Sequence, residues 1–238
     1  MNIDVAFTTG EISSKDFAYK SVIVTDILRA STTITTAIAN GASYIIPVSI
    51  PEEAFAMAEK YKKGIILGGE RDNMRIDGFH LGNSPTEYSA SVVNNKPIIF
   101  CTTNGTRAIN ASSSAEKIVI ASFLNISASC RYLSRQKDII IVCSGKKGRF
   151  CMEDSVFAGA FIDFYCRISG HDVDKSDSAI AAEILYKNYS SDIPSMLQNC
   201  EHGRSLSQTG FSSDLALCAR MDVTKVVPVY QNGKIISG

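Results

Sequence analysis

Short apolar runs alternate with longer amphipathic stretches over the first two thirds of the chain. The runs Val22–Thr25, Ser43–Pro47, Gly64–Leu67, Pro97–Cys101, Lys117–Ala121 and Asp138–Cys143 are continuous and rich in Ile and Val. Unbroken runs of this kind predict strands covered on both faces. Between them, apolar residues recur at helical spacing over Thr32–Asn40, Pro51–Lys62, Pro85–Asn94, Thr106–Ala111 and Asn125–Arg135. Pro51 and Pro85 suit a first helical turn, where the missing N–H costs little. The alternation predicts an α/β fold: a mostly parallel sheet flanked by helices in three layers.

The last third changes character. Glu153–Ile168 reads as a long helix, and Asp177–Tyr189, Ile193–Gln198 and Ser213–Met221 as shorter ones. A final strand pair, near Val226–Tyr230 and Lys234–Ile236, would turn at Asn232-Gly233, a strong hairpin dipeptide. No repeat, low-complexity tract or Pro/Ser-rich linker intervenes. The expectation is one domain over residues 1–238, with a more helical elaboration from about residue 150.

Composition narrows the class. A chain of 238 residues that is 45% hydrophobic can bury a core without disulfides or metals. The 24 Lys and Arg residues cancel the 24 Asp and Glu, which disfavours a sequence-independent nucleic-acid binder and intrinsic disorder. No apolar run reaches the roughly 18 residues of a membrane helix. Met1-Asn2-Ile3-Asp4 lacks the start of a signal peptide. A cytoplasmic protein without nucleic-acid or membrane partners is expected. The seven cysteines are odd in number, scattered and free of C-x-x-C pairs, which predicts reduced, partly buried thiols.

Ligands of open α/β sheets bind at the carboxyl ends of the strands, and four segments there are dense in polar residues. In Thr25-Asp26-Ile27-Leu28-Arg29-Ala30-Ser31-Thr32-Thr33, Asp26 suits a metal ligand or acid/base, and Arg29 suits an anion clamp. Ser31 and Thr32 open a helix, where N–H groups attract anions. Gly68-Gly69-Glu70-Arg71 leads through a polar loop, with His80, to Asn83-Ser84-Pro85, a helix start. Cys101-Thr102-Thr103-Asn104-Gly105-Thr106-Arg107 has the composition of a phosphate cradle, although not the Walker pattern. Finally, Ser144-Gly145-Lys146-Lys147-Gly148-Arg149 precedes Glu153-Asp154, paired acids suited to a hard divalent cation. Cations for anionic oxygens beside carboxylates for a metal form the toolkit of phosphate-ester chemistry. Capping of the helices by Asp26, Ser31, Asn83, Ser84 and Asp154 is the plainer alternative reading.

These segments, in this order, resemble the 2-phosphosulfolactate phosphatases, with Thr102-Thr103-Asn104-Gly105-Thr106-Arg107 the most specific match. His80 stands where that family is expected to have an aspartate, the stretch after Arg71 lacks its further glycines, and Cys151-Met152 is less hydrophobic than its counterpart. The resemblance implies a magnesium-dependent phosphatase that converts 2-phospho-3-sulfolactate and water to 3-sulfolactate and phosphate. A substrate bearing phosphate, carboxylate and sulfonate would account for several arginines at one site.

Asp26, Glu70, Arg29 and Arg107 are then the candidates for chemistry, and Asp26, Glu70, Glu153 and Asp154 for metal. Ser31, Thr32, Arg71, Asn83, Ser84, Thr102, Thr103, Asn104, Gly105, Thr106, Lys146 and Arg149 are the candidates for binding substrate. Two chemistries stay open: attack by metal-positioned water, and a phosphoenzyme. Five residues separate Cys101 from Arg107 and Cys143 from Arg149, the spacing of cysteine phosphatases, but Ala108 and Phe150 stand where a hydroxyl residue is expected. Asp26 lacks the second aspartate two residues on that aspartyl-phosphate phosphatases carry. A phosphatase of another small phosphorylated hydroxy acid and a non-catalytic binder of small organic phosphates or sulfonates are the rival readings, and a homodimer is the expected assembly.

Overall fold

The computed structural model describes residues 1–11, 17–61, 64–170 and 173–238. Its strands are β1 (Asn2–Ala6), β2 (Ser21–Thr25), β3 (Tyr44–Val48), β4 (Ile66–Arg71), β5 (Met74–Arg75), β6 (Pro97–Cys101), β7 (Lys117–Ile120), β8 (Asp138–Cys143), β9 (Asp174–Lys175), β10 (Pro228–Gln231) and β11 (Lys234–Ser237). Its α-helices are α1 (Ala30–Ala39), α2 (Pro51–Lys60), α3 (Ala90–Val93), α4 (Gly105–Ala111), α5 (Ile126–Leu133), α6 (Met152–Ser169), α7 (Asp177–Tyr189), α8 (Ile193–Asn199), α9 (Glu201–Gln208) and α10 (Ser212–Cys218). No helix among the described residues is long and apolar enough to cross a membrane.

The sheet is built from two parallel blocks, β4-β6-β3 and β7-β2-β8-β1-β9. The C-terminal hairpin sits between them: β10 pairs antiparallel with β7, and β11 antiparallel with β3. Asn232 and Gly233, at φ 52° and 79°, supply the two positive φ angles of its tight turn. Three antiparallel pairings in succession make the two blocks run in opposite senses.

Their carboxyl ends nevertheless meet, because the sheet is curved around α1 and α4. Val22 and Val24 of β2, Ile45 of β3, Ile66 of β4, Ile98 and Phe100 of β6, and Val142 of β8 share one buried cluster with Ile34 and Ile38 of α1 and Ile109 of α4. The opposite face is covered in two parts. Helices α5 to α10 bury one block through Phe157, Phe161, Leu197 and Leu215, and α2 covers the other through Ala54 against Ile46, Leu67 and Ile99. This is the predicted three-layer α/β arrangement with a helical C-terminal part.

Differences from the sequence pattern are local. The predicted helix Pro85–Asn94 is broken into a 3-10 turn, Pro85–Glu87, and the short α3. Between them Tyr88 is fully buried and donates its hydroxyl to the Gly82 carbonyl at 2.6 Å, so the chain leaves helical geometry to deliver the ring. The helix predicted over Pro51–Lys62 ends at Lys60, and Lys62 lies outside the described residues. Strand β4 extends past the predicted Leu67 through Gly68 and Gly69 to Arg71. It can do so because Gly69, at φ 145°, has no side chain: a Cβ there would lie 1.9 Å from the Cys101 carbonyl oxygen of β6.

Gly69→Ala should therefore lower the melting temperature markedly, by ~10 °C, since both strain and a backbone clash oppose it. Gly210→Ala is the control. Gly210 also has a positive φ, 89°, but nothing within 4 Å of a new Cβ, and its cost should stay near 1 kcal/mol. Equal melting shifts in the two variants would show that the β4–β6 approach is not tight.

Candidate active site

A cavity of about 250 Å³ opens where the carboxyl ends of β2, β4, β6 and β8 converge. Asp26, at the end of β2, lies on its wall and is buried. The turn that places it is tied by the Asp26 N–H, which donates to Ser31 Oγ, and by Ser31 N–H to the Asp26 carbonyl at 2.9 Å. Asp26 Oδ1 accepts from the Ala30 N–H at 3.2 Å. Its Oδ2 meets no N–H or O–H donor among the described residues. Gly105 lets α4 start against that carboxylate: a Cβ there would be 2.6 Å from Ala30 Cβ and 2.9 Å from Asp26 Oδ2.

Glu70 bridges two loops, accepting from the Thr103 N–H at 2.9 Å and the Asn73 N–H at 3.0 Å. Asp154, at the start of α6, is a tie beneath the cavity. It accepts from the Ile27 N–H at 2.8 Å and the Gly145 N–H at 3.2 Å, joining the loops after β2 and β8. Its neighbour Glu153 contacts His202 Nδ1 at 3.2 Å. His202 Nε2 lies 3.3 Å from Asn73 Oδ1, and Asn73 Nδ2 donates to Ser205 Oγ at 3.0 Å.

This concentration of acids shapes their titration. Burial pushes the Asp26 carboxyl up to about 6; His202 and the Ala30 N–H oppose the rise, and the charges of Glu70 and Glu153 add to it. Burial raises Asp154 well above the ordinary carboxylate range, with Asp26 and Glu153 adding to it. Burial also acts to raise Glu153, but the hydrogen bond and charge of His202 outweigh it and hold that carboxyl low.

The cavity also receives Asn83, Thr103, Asn104, Lys146 and Lys147. Asn83 Oδ1 and Thr103 Oγ1 are buried without a hydrogen-bond partner. Burying such atoms bare costs roughly 1–3 kcal/mol each, so both are suited to a bound molecule. Asn104 Oδ1 accepts from the Lys147 N–H at 3.0 Å. Lys146 is half-buried, with its ammonium 3.3 Å from Glu201, and exposed Lys147 pairs with Asp72 at 2.9 Å.

Other predicted residues stand elsewhere. Arg29 lines the cavity but is not the exposed rim clamp its loop position suggests. It is 1% exposed, ion-paired with Asp214 at 2.7 Å, bonded to the Asn73 carbonyl at 2.9 Å and stacked 4.2 Å above the Phe211 ring. Arg107 is exposed on α4 and does not line the cavity, so it does not share a cleft with Arg29. Arg71 bonds the carbonyls of Glu70 and Ser49 and the Cys101 sulfur, away from the cavity. Arg149 is exposed and outside it.

Several hydroxyls are structural. Ser84 Oγ donates to Asp214 at 2.7 Å, Thr32 Oγ1 to the Ile27 carbonyl at 3.0 Å, and Thr106 Oγ1 to the Thr102 carbonyl at 2.9 Å; Thr102 Oγ1 accepts from the Thr106 N–H. His80 lies outside the cavity and accepts the Leu67 N–H on Nδ1. Cys101 and Cys143 are fully buried, their thiols are raised by burial, and neither lines the cavity.

Among the described residues, no three His, Cys, Asp or Glu side chains form a metal-binding group. The predicted four-carboxylate set is divided by position: Asp154, tied by two backbone N–H groups, and Glu153, facing His202, do not line the cavity. Asp26 and Glu70 remain on the cavity wall.

The residues missed by the pattern are His202, Asn73 and Asp214. Adjacent charges on a strand point to opposite faces. That rule separates Glu70 from Arg71 and was available in the sequence. No comparable signal links Arg29 to Asp214 across 185 positions.

An α/β sheet whose strand ends surround a polar cavity with buried acids, half-buried cations and unpartnered polar atoms is the frame of an enzyme for small anionic molecules. A profile of 2-phosphosulpholactate phosphatase matches residues 6–233. A probable 2-phosphosulfolactate phosphatase of Symbiobacterium thermophilum is 39% identical over 227 residues, covering 94% of this chain and 96% of its own. Those so named from Clostridium novyi and Thermotoga maritima are 38% identical over 236 residues (99% of each chain) and 41% identical over 217 residues (91% and 92%). The chain belongs to the 2-phosphosulfolactate phosphatase family, a family of phosphoric monoester hydrolases.

Two stability measurements probe this geometry. Asp26 has a folded pKa above its ordinary value, so its charge opposes folding at neutral pH. That cost is full above about pH 6 and absent below the ordinary carboxylate range. Asp26→Asn should raise the melting temperature by several degrees at pH 7.5, with the gain fading towards pH 4; a lower melting point at pH 7.5 would contradict the raised pKa. Removing one partner of a buried ion pair costs roughly 3–5 kcal/mol. Asp214→Asn should accordingly lower the melting temperature by about 10 °C, and an unchanged melt would mean Arg29 does not depend on it.

Proposed function

We propose that this chain is a magnesium-dependent phosphatase that hydrolyses 2-phospho-3-sulfolactate to 3-sulfolactate and phosphate. The observation that carries the reading is the pair Asp26 and Glu70 on the wall of a cavity that also holds Lys146 and Lys147. Magnesium commonly keeps several waters and takes one or two carboxylates together with substrate phosphate oxygens. Asp26, with its undonated Oδ2, and Glu70 fit that demand without the four-acid set. When bound, the ion would polarise the phosphoryl group and offset the negative charge near the ester.

The chain's own residues do the rest. Lys146 and Lys147 attract the anionic groups of the substrate. Asn83 Oδ1 and Thr103 Oγ1 offer the polar contacts they lack in the protein. Asp154 holds the loops after β2 and β8 together, and so fixes Asp26 relative to Lys146. Arg29 contributes a positive wall whose position is set by Asp214. Water is favoured over a cysteine as nucleophile, because Cys101 and Cys143 stand outside the cavity as buried thiols.

Phosphate release from 2-phospho-3-sulfolactate should require magnesium and stop with EDTA. Asp26→Asn should lower kcat by roughly a thousandfold or more in magnesium, as expected when charge stabilisation at the reacting centre is lost. Full release in chelator would remove the metal from the reading. Tight substrate binding with no release would make the chain a binder instead of an enzyme.

A further inference from the structure

His202 stands in the first turn of α9 and lines the cavity. Its Nδ1 faces Glu153 Oε1 at 3.2 Å, and its Nε2 faces Asn73 Oδ1 at 3.3 Å. Asn73 commits its Nδ2 to Ser205, which leaves Oδ1 for the ring. Both ring nitrogens thus meet oxygen acceptors, the pattern of a ring with a proton to donate. Glu153 is 2% exposed and acts as an anchor: a buried carboxylate on one nitrogen fixes the ring, while the other nitrogen meets only Asn73, itself on the cavity wall, from which a substrate oxygen could take over the contact. Neither nitrogen is bonded to Asp26 or Glu70, so the histidine is not committed to the acids proposed to hold the metal.

We propose that His202 is the general acid that protonates the departing alcohol, and that Glu153 is its positioning residue. The assignment rests on the phosphatase reading above. The alkoxide of a 2-hydroxy acid is strongly basic and leaves poorly unless it receives a proton. In the step, the oxygen of a water molecule bonds to phosphorus and the bond between phosphorus and the ester oxygen breaks. Its electron pair stays on the ester oxygen, which takes the Nε2 proton of His202. One proton of the attacking water remains with the phosphate, and the other returns to the ring through solvent before the next turnover.

Leaving-group dependence separates this role from a structural one. Wild type, His202→Gln and Glu153→Gln are compared, with magnesium present, on 2-phospho-3-sulfolactate and on p-nitrophenyl phosphate, whose aryl oxide departs without a proton. His202→Gln should lower kcat on the alkyl ester by roughly a hundredfold or more and leave the aryl ester nearly untouched. Glu153→Gln should act in the same direction, less strongly. Equal loss on both esters, or no loss on the alkyl ester, overturns the assignment. The bridge-oxygen isotope effect on 2-phospho-3-sulfolactate gives a second reading on a single ester: it should increase in His202→Gln, and an unchanged value overturns the role. If His202→Gln does not fold, as judged by its melt, Glu153→Gln carries both comparisons. A wild type inactive on both esters ends the phosphatase reading and this role with it, whereas active wild type with non-discriminating variants ends this role alone.

Discussion

Four carboxylates are buried around one cleft, and the arrangement of the loops follows from making that tolerable. Like charges in a poorly solvated space oppose one another, so each acid needs its own compensation. Asp154 receives two backbone N–H groups, Glu70 two more, and Glu153 a histidine. Two of these bonds cross between loops, Asp154 to Ile27 and Glu70 to Thr103, so compensating the acids also ties the loop after β2 to that after β8 and the loop after β4 to that after β6. Asp26 is left with a single backbone N–H on Oδ1, and burial pushes its carboxyl up to about 6 where chemistry needs a reactive group. Stability has been conceded at that position, the usual exchange at a functional site.

The fold delivers these loops by an indirect route. Two parallel blocks of opposite sense would put their carboxyl ends on opposite edges of a flat sheet. Curvature around α1 and α4 brings the ends together, and α4 can close in only because Gly105 has no side chain. The C-terminal helices then complete the wall from outside the sheet: His202 and Ser205 come from α9, and Asp214 reaches Arg29 from α10. The helical elaboration is therefore part of the site and not merely a cover.

Strands were legible wherever apolar runs were continuous. Pro97–Cys101 and Asp138–Cys143 stand as the pattern predicts, because burial on both faces leaves no other composition. Strand β1 was not, since Asn2 and Asp4 alternate with apolar residues over a short span. Helix α9 was hidden by its polarity and by Gly203, whose absent Cβ would lie 1.7 Å from the Leu197 carbonyl oxygen. Asp26 and Glu70 were legible as acids at strand ends. The arginines were not, because sequence position gives neither the face a side chain takes nor a partner as remote as Asp214. His202 is a single histidine in a polar helix, and only folding gives it Glu153.

The hairpin at the centre of the sheet also bears on synthesis. Residues 228–237 are translated after the other nine described strands, yet they occupy the seam between the blocks. Until they emerge from the ribosome, β3 and β7 each present an unpaired strand edge, the kind of surface on which nascent chains associate. The first two hundred or so residues can form both parallel blocks but cannot join them. This protein's aggregation hazard thus falls in the interval before residues 228–237 are synthesised, and slow translation between β9 and β10 would lengthen it.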